Sequence, residues 1–525
     1  MDFAVAALPI ALLILLMVKP NPMPSQRALP LAALVLYLLR LTYFRTDANA
    51  TNATVIQGLL TAWTPILIVW GAILLFKTLE HSGAMATIRH WLNGITPNRV
   101  GQVMIVGWSF SFLVEGVSGF GTPAALAAPV LVGLGIDPLR AALVTLIMNS
   151  APICFGAVGT PVWFGLREAG LNHAELLAVG MKAALVHTVA AAVIVPVAMS
   201  FVVPWRTVGR NLIFILLSVL STMAPMLILA RWDYDFPTVL GGVIGLPATI
   251  LWAKYGIGMM DEPGEVKDRT PVRLRDLAKA AFPLWASVLV LLVTRVEGIG
   301  FKSILQSDSP AWTASLGTLG EFAVLPGLVV QLKGIFGTGV AWRHELLYVP
   351  SILPFFAVAA LSFLVFGMDR AAVRRTWDDT WHRMWKPLVA LSATLVFVKL
   401  LMVGGERSCA MVVGHSLAAW VGQGWQMCAA FLGAAGAFFA GSNTVSNLTF
   451  AGIQNAIALK LNLDRTTVLA LQHVGGGAGL MVSIHHIVSV CAVLGINDAE
   501  GEIIKRTVVP MVIYVVIAGV IGVMM

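Results

Sequence analysis

Glu115 is the residue with the sharpest chemistry in this sequence, because it lies inside an apolar run, SFSFLVEGVSGFGTPAALAAPVLVGLGIDP from Ser109 to Pro138. A carboxylate in such a stretch is costly in lipid, so it is paired, protonated or functional. We expect it to carry a proton; the competing role is a structural hydrogen bond that braces the surrounding chain. Gly116, Ser118, Gly119, Gly121 and Thr122 follow it, and a second polar interruption, GSNTVSN from Gly441 to Asn447, breaks another apolar run. Broken helices leave backbone N–H and C=O groups unpaired, at several kcal/mol each in hydrocarbon unless protein, water or substrate meets them. The N-terminus of a half-helix also carries about +0.5 charge, which suits a carboxylate. Single Ser, Thr and Gly residues in spans serve close helix packing. Two clusters at chain breaks read instead as one binding site, with Ser118, Gly119, Gly121, Thr122, Asn149 and Ser150 on one side and Ser442, Asn443, Thr444, Ser446 and Asn447 on the other.

Histidine titrates near neutral pH, so His473, His485 and His486 join Glu115 as proton-coupling candidates. His485 and His486 are adjacent and point to different faces of a helix. His187 reads as a packing residue, and Lys182 and Lys399 as either snorkelling or substrate-facing. No ligand set for a metal is recognisable, and no cofactor is implied beyond a proton as coupling ion, with sodium as the alternative.

The elements around these residues belong to a bilayer. Of 525 residues 58% are hydrophobic and 11% charged, more apolar surface than a soluble core needs. The net charge of +8 sits in short basic loops between apolar runs, which the positive-inside bias explains without nucleic acid. Cys154, Cys409, Cys428 and Cys491 lie in apolar stretches without CxxC spacing and read as free thiols. The first run, Phe3 to Val18, has Asp2 before it and Lys19 after it, the reverse of a signal peptide.

Spans of about 20 apolar residues are expected near 3–18, 28–44, 54–79, 139–168, 174–203, 211–230, 236–253, 280–296, 346–368, 387–402, 466–497 and 507–524. The stretches 100–133 and 427–460, interrupted at their middles, read as re-entrant hairpins. The expected fold is an all-α polytopic membrane protein of about 12 transmembrane helices plus two re-entrant hairpins. Its N-terminal half, 1–255, holds the hairpin 100–133 and the broken helix 139–168. A cytoplasmic loop, 256–279, leads to the C-terminal half, 280–525, with the hairpin 427–460 and the broken helix 466–497. Basic loops place both termini outside; Arg40 and Arg45 fit that orientation less well, and 297–345 shows no clear span. Glu80-His81-Ser82-Gly83-Ala84-Met85 recurs as Glu406-Arg407-Ser408-Cys409-Ala410-Met411, an offset of 406 − 80 = 326. Thr122 matches Thr449, and Asp137 matches Asp464 at 464 − 137 = 327. The lead-in 86–99 carries Arg89, His90 and Arg99, while 412–426 carries only His415, so the copies are expected on opposite sides as an inverted repeat.

EGVSGFGTPAALAAPVLVGLGIDP at 115–138 followed by NSAPICFGAVGTP at 149–161 resembles the L-lactate permease family of bacterial 2-hydroxy-monocarboxylate transporters. GSNTVSN resembles that family's second hairpin, and SNT at 442–444 is similar to a tip motif of dicarboxylate transporters that contacts substrate carboxylate and sodium. The chain departs from the pattern at His473-Val474-Gly475-Gly476-Gly477 and at Leu480, where the family usually has a lysine. The resemblance implies a transporter, not an enzyme, in a bacterial inner membrane. It would take up L-lactate, D-lactate or glycolate with a proton by alternating access; which of the three acids, and the oligomeric state, are left open. The alternatives are a sodium-coupled carrier of another organic anion and, from another class, a membrane-embedded hydrolase using Ser and His, for which no nucleophile elbow is present.

Overall fold

A computed structural model describes residues 2–18, 23–119, 122–260, 272–295, 300–349, 352–496 and 499–525. The chain opens with α1 (Asp2–Val18), α2 (Ser25–Thr42) and α3 (Ala48–His81), then α4 (Ala84–Asn93). α5 (Arg99–Val103) runs through π-helical turns into α6 (Ser111–Ser118), and α7 (Thr122–Gly133) turns back from it. After α8 (Pro138–Met148) and α9 (Gly156–Trp163) come α10 (His173–Met199), α11 (Trp205–Arg210), α12 (Leu212–Leu229), α13 (Pro237–Lys254), α14 (Leu274–Ala280), α15 (Phe282–Arg295) and α16 (Phe301–Leu305). Four strands follow, β1 (Trp312–Ser315), β2 (Glu321–Leu325), β3 (Val329–Lys333) and β4 (Trp342–Glu345). The rest is helical: α17 (Val358–Phe366), α18 (Arg370–Met402), α19 (Cys409–Val421), α20 (Trp425–Ala440), α21 (Asn443–Leu461), α22 (Arg465–Gly479), α23 (Ile484–Leu494) and α24 (Glu500–Met524).

Among the described residues seven helices are long and apolar enough to cross a membrane: 48–81, 99–118, 173–199, 212–229, 237–254, 370–402 and 500–524. The pair Pro138–Met148 and Pro152–Trp163, bent by 55°, makes an eighth if taken as one span, and Asp2–Leu16, Phe282–Leu291 and Ile352–Phe366 are shorter apolar helices. The architecture is mostly helical, but the all-α expectation fails at 312–345. There β1–β4 form an antiparallel meander in sequence order, with Ala314 opposite Phe322, Ala323 opposite Gln331 and Gln331 opposite Arg343. Short β-branched and aromatic runs are separated there by glycines and Pro326, a turn pattern that leaves no length for a span.

The chain divides into two compact units, each drawing on both halves of the sequence. The first comprises 1–84 and 281–419, the second 85–280 and 420–525. In the first, α3 has 34 residues, roughly 50 Å at 1.5 Å per residue, against a hydrocarbon core of about 30 Å. Its N-terminal turns carry the meander: Ala53, Leu332 and Ile335 form a small core, the Gln57 amide donates to the Ala341 carbonyl (2.7 Å), and Thr64 Oγ1 meets His344 Nδ1 (2.9 Å). A sheet with open edges needs that surplus length, because lipid cannot pair its edge groups. Arg40 is not a loop charge. It is 1% exposed, donates to the Arg407 carbonyl (3.3 Å) and lies 5.1 Å from the Phe44 ring, so it does not enter the charge count that sets orientation.

The second unit is held at its corners by caps and one ion pair. Asp137 and Asp464 both cap the helices that follow them, α8 and α22, and Asn172 with Glu175 forms a capping box on α10. Lys182 on α10 pairs with Asp464 and donates to Thr466 (2.9 Å) and Thr467 (2.8 Å), which gives it a structural partner. Glycines set the approach of α20 to α22, since a Cβ at Gly475 or Gly479 would overlap the carbonyls of Ala430 and Ala434. The glycine run therefore does not break α22. The helix continues to Gly479 and turns at Leu480–Val482 before α23 begins.

Burial pushes the Asp464 carboxyl up, but Lys182, Thr467 and Thr466 outweigh it and hold the group below the usual carboxylate range. A depressed carboxyl contributes stability that is present above its unfolded value of about 3.9 and is lost as pH falls through the folded one. The pair is partly exposed, so Lys182→Met should cost about 1 kcal/mol or less. The variant's thermal midpoint in detergent should fall at pH 7, and the gap from the parent should narrow below about pH 3.9. A gap that stays constant down to pH 3 would assign the loss to something else.

Candidate functional site

The two polar interruptions meet inside the second unit. They line a small cavity together with the α8–α9 break, Leu480 and His486. Glu115, in the last turn of α6, is 1% exposed, and its Oε2 accepts from Asn149 Nδ2 (3.1 Å) at the end of α8. Its Oε1 lies against Gly156, where a Cβ would overlap it. α6 stops at Gly119, whose φ of +62° is a conformation glycine adopts freely. Opposite, α20 stops at Gly441 (φ +67°), and Ser442 caps α21 by accepting from the Val445 N–H (3.4 Å). Ser442, Asn443 and Thr444 thus present the N-terminus of a 19-residue helix to the cavity.

In the first turn of α9 the chain leaves helical geometry and kinks through left-handed residues at Ala157 (φ 44°), Val158 (φ 56°) and Gly159 (φ 67°). Such a conformation is rare for a β-branched residue and costs about 1–2 kcal/mol. It persists because its carbonyls are met: Thr160 Oγ1 donates to Ala157 and Trp163 Nε1 to Val158 (3.0 Å). Asn447 Nδ2 donates to the Pro161 carbonyl (3.0 Å) and lies 2.8 Å from His473 Nδ1. A carbonyl only accepts, so the amide nitrogen of Asn447 is fixed toward both partners. His473 Nδ1 is then an acceptor, and its proton sits on Nε2, 3.2 Å from Cys154 Sγ. Gln472 completes the network by donating to Ser446 (3.1 Å) and Asn447 (3.4 Å).

Of the residues expected from the sequence, Glu115, Gly119, Ser442, Asn443, Thr444 and His486 line the cavity. Asn149 stands behind Glu115, and Ser118 and Ser150 donate back to the carbonyls of Val114 and Ile147. Ser446, Asn447 and His473 have their polar atoms engaged within the protein and hold the second tip in place. Gly121 and the side chains of Thr122 and His485 lie outside the described residues. Thr122 opens α7, whereas Thr449 falls in the second turn of α21, so those two threonines do not stand at like places; Asp137 and Asp464 each cap the helix that follows. Sequence reasoning missed the left-handed turn. Its signal was the recurrence of Gly-Thr-Pro at 121–123, where α7 starts, and at 159–161, where helical geometry resumes after the kink of α9. It also missed Cys154 and Ile153, whose roles depend on contacts 319 residues away and on packing with Ala437 and Leu480.

The lining is more apolar than polar, with Ile153, Ala157, Pro161 and Leu480 on the apolar side, and among the described residues it holds no lysine or arginine. About 20 Å³ is open to the centre of a water molecule, room for about one water. Among the described residues no three His, Cys, Asp or Glu side chains are placed to hold a metal ion.

A helical protein with membrane-length spans and a small cavity of mixed polarity between broken helices has the form of a solute permease. The family model for L-lactate permease matches residues 2–525. The chain is 41% identical to the putative L-lactate permease of Haemophilus influenzae over 99% of its length and 97% of that protein's. It is 26% identical to the L-lactate permease of Escherichia coli K12 (98% and 94%) and 24% identical to the glycolate permease GlcA of the same organism (87% and 84%). The solved YdaH transporter of Alcanivorax borkumensis aligns with 99% of this chain and 98% of its own at 16% identity and a TM-score of 0.42, too distant to bear on the fold. The chain belongs to the L-lactate permease family, and it is a multi-pass membrane permease rather than an enzyme.

Substitutions at two positions probe this geometry. Gly156→Ala should displace the Glu115 carboxyl and reduce uptake by at least about tenfold, as expected when a buried polar pair is broken, with normal yield in detergent. Uptake at the parental rate would remove Gly156 and the Glu115 position it sets from the mechanism. Val158 is fully buried, so the strain is read between two truncations: Val158→Gly should be more stable than Val158→Ala by up to about 1 kcal/mol, because glycine adopts the left-handed conformation freely and alanine does not. An alanine variant with the higher thermal midpoint would contradict the strain.

Proposed function

We propose that this chain takes up a small 2-hydroxy monocarboxylate, L-lactate, D-lactate or glycolate, with a proton across a bacterial inner membrane, by alternating access of the cavity between Glu115 and the tip of α21. One observation carries this reading: the cavity pairs a buried carboxyl with a helix N-terminus and offers no lysine or arginine. A carboxylate substrate is drawn to the N–H groups of Asn443 and Thr444 and the hydroxyls beside them. With Glu115 ionised, two like charges would share one low-dielectric site, and one of them must then take up a proton. Substrate and proton therefore load together.

The energetics of the membrane favour the same coupling. Moving one anion inward against an inside-negative potential costs about 2.3 kcal/mol per 100 mV, whereas an anion with one proton is electrically neutral. Asn149 holds Oε2 of Glu115, which leaves Oε1, on the Gly156 side, to gain and lose the proton. His486 also lines the cavity and is a second group able to take part. The names of the relatives support lactate and glycolate as substrates.

An inverted repeat is part of this proposal. It is supported by the order of elements, which is the same in both halves: α4, the α5–α6/α7 hairpin and α8–α9 in one, and α19, the α20/α21 hairpin and α22–α23 in the other. Each hairpin's first helix ends at a glycine of positive φ, and each following helix starts at a capping aspartate. About 12 crossings would leave the hairpins as re-entrant segments from opposite sides, with α5–α6, long enough to cross by itself, entering without leaving on the far side.

The test is uptake of labelled lactate into proteoliposomes with an imposed pH gradient, with and without sodium. Glu115→Gln should abolish accumulation driven by the gradient while lactate exchange at equal pH persists. Dependence on sodium instead of the gradient, or an unchanged pH profile in the variant, would sink proton coupling through Glu115. Recovery of chemically altered substrate would point to a hydrolase.

A further inference from the structure

We infer that Asn443 reads the 2-hydroxyl group of the substrate, by accepting a hydrogen bond from it at Oδ1; this rests on the proposed carriage of a 2-hydroxy acid through the cavity. Asn443 lines the cavity, is 3% exposed, and its Oδ1 has no hydrogen-bond partner among the described residues. Its orientation is not free. The Pro161 carbonyl fixes the amide nitrogen of Asn447, Asn447 makes His473 Nδ1 an acceptor, and Asn443 Nδ2 stands 3.3 Å from that same nitrogen. Only the amino side of Asn443 can face an acceptor, so the carbonyl oxygen is the atom left over. Gly476 packs beside that oxygen, which occupies room that a Cβ there would take, so the glycine admits the Asn443 side chain.

A buried acceptor without a donor is costly, and a ligand that brings the donor is favoured over one that does not. Of the polar groups on a short 2-hydroxy acid, the ionised carboxylate only accepts and is served by the N–H groups at the start of α21. The hydroxyl alone can donate to Oδ1. A 2-keto acid of the same skeleton presents a carbonyl there, setting acceptor against acceptor. Carboxylate and hydroxyl are thereby read by neighbouring atoms of one helix start, while Leu480 and Ile153 face the cavity as an apolar wall for the alkyl end.

The experiment is competition against labelled lactate uptake in proteoliposomes by unlabelled lactate, pyruvate and 2-methoxypropionate, which keeps the ether oxygen but cannot donate. The parent should bind lactate at least about tenfold more tightly than either competitor. In Asn443→Ala, lactate should weaken toward pyruvate until the two lie within about threefold, because the orphan acceptor is gone; His473 keeps Asn447 as its donor, so the variant should fold. Full discrimination surviving in Asn443→Ala overturns the assignment, as does pyruvate or 2-methoxypropionate matching lactate in the parent. The parent arm decides by itself if the variant is not recovered. Failure of the parent to accumulate any 2-hydroxy acid would instead bring down the transport reading on which the assignment stands.

Discussion

Every backbone group at a helix break inside a membrane needs a partner from the protein, and this constraint shapes the second unit more than any other. The α8–α9 break exposes the carbonyls of Pro152, Ala157, Val158 and Pro161. Each is met by a side chain: Thr238, Thr160, Trp163 and Asn447 in turn. On the other side of the cavity, Ser446 meets the Gly433 carbonyl and Gln454 the Ala429 carbonyl. Broken helices are costly in lipid only while they are unpaired. Here the donors that pair them come from the elements that form the cavity.

Because those donors cross between the halves of the chain, the same bonds that stabilise the breaks also align the two tips. Asn447 and His473 belong to the second half, Pro161 and Cys154 to the first. The cavity is thus defined by a network in which one atom's role settles the next, from the Pro161 carbonyl through Asn447 and His473 to Cys154. In the proposed function, rigid positioning of this kind would let a small site without a fixed cation discriminate among short carboxylates. Its polar groups are few and their directions are set.

Glu115 and Leu480 show how the chemistry is divided. The carboxyl is held from behind by Asn149 and bounded by Gly156 on the other side, which fixes the direction of each oxygen. Leu480 packs with Ile153 and Ala437 and contributes apolar surface where the resemblance to the family leads one to expect a lysine. In the proposed transport, charge compensation for the anion would then fall to the α21 N-terminus, to His486 and to a proton on Glu115.

Much of this was legible in the chain because lipid makes the sequence signals strong. Polar and glycine-rich breaks at 116–122 and 441–447 stand out against apolar runs, and the caps Asp137 and Asp464 mark where the following helices begin. Local chemistry therefore located the helices, the two tips and the carboxyl that faces the cavity. Other features depend on contacts between residues far apart in sequence, which no periodicity records. These are the meander on the surplus turns of α3, the burial of Arg40, the partnership of Lys182 with Asp464 and the drawing of each unit from both halves. The glycines of α22 mislead when read alone, since a glycine that breaks a helix and one that admits a neighbouring backbone are the same residue. Only the position of α20 against Gly475 and Gly479 decided between them. In the same way a histidine is a titrating group by composition, and His473 became an oriented acceptor because Asn447 and the Pro161 carbonyl stand beside it.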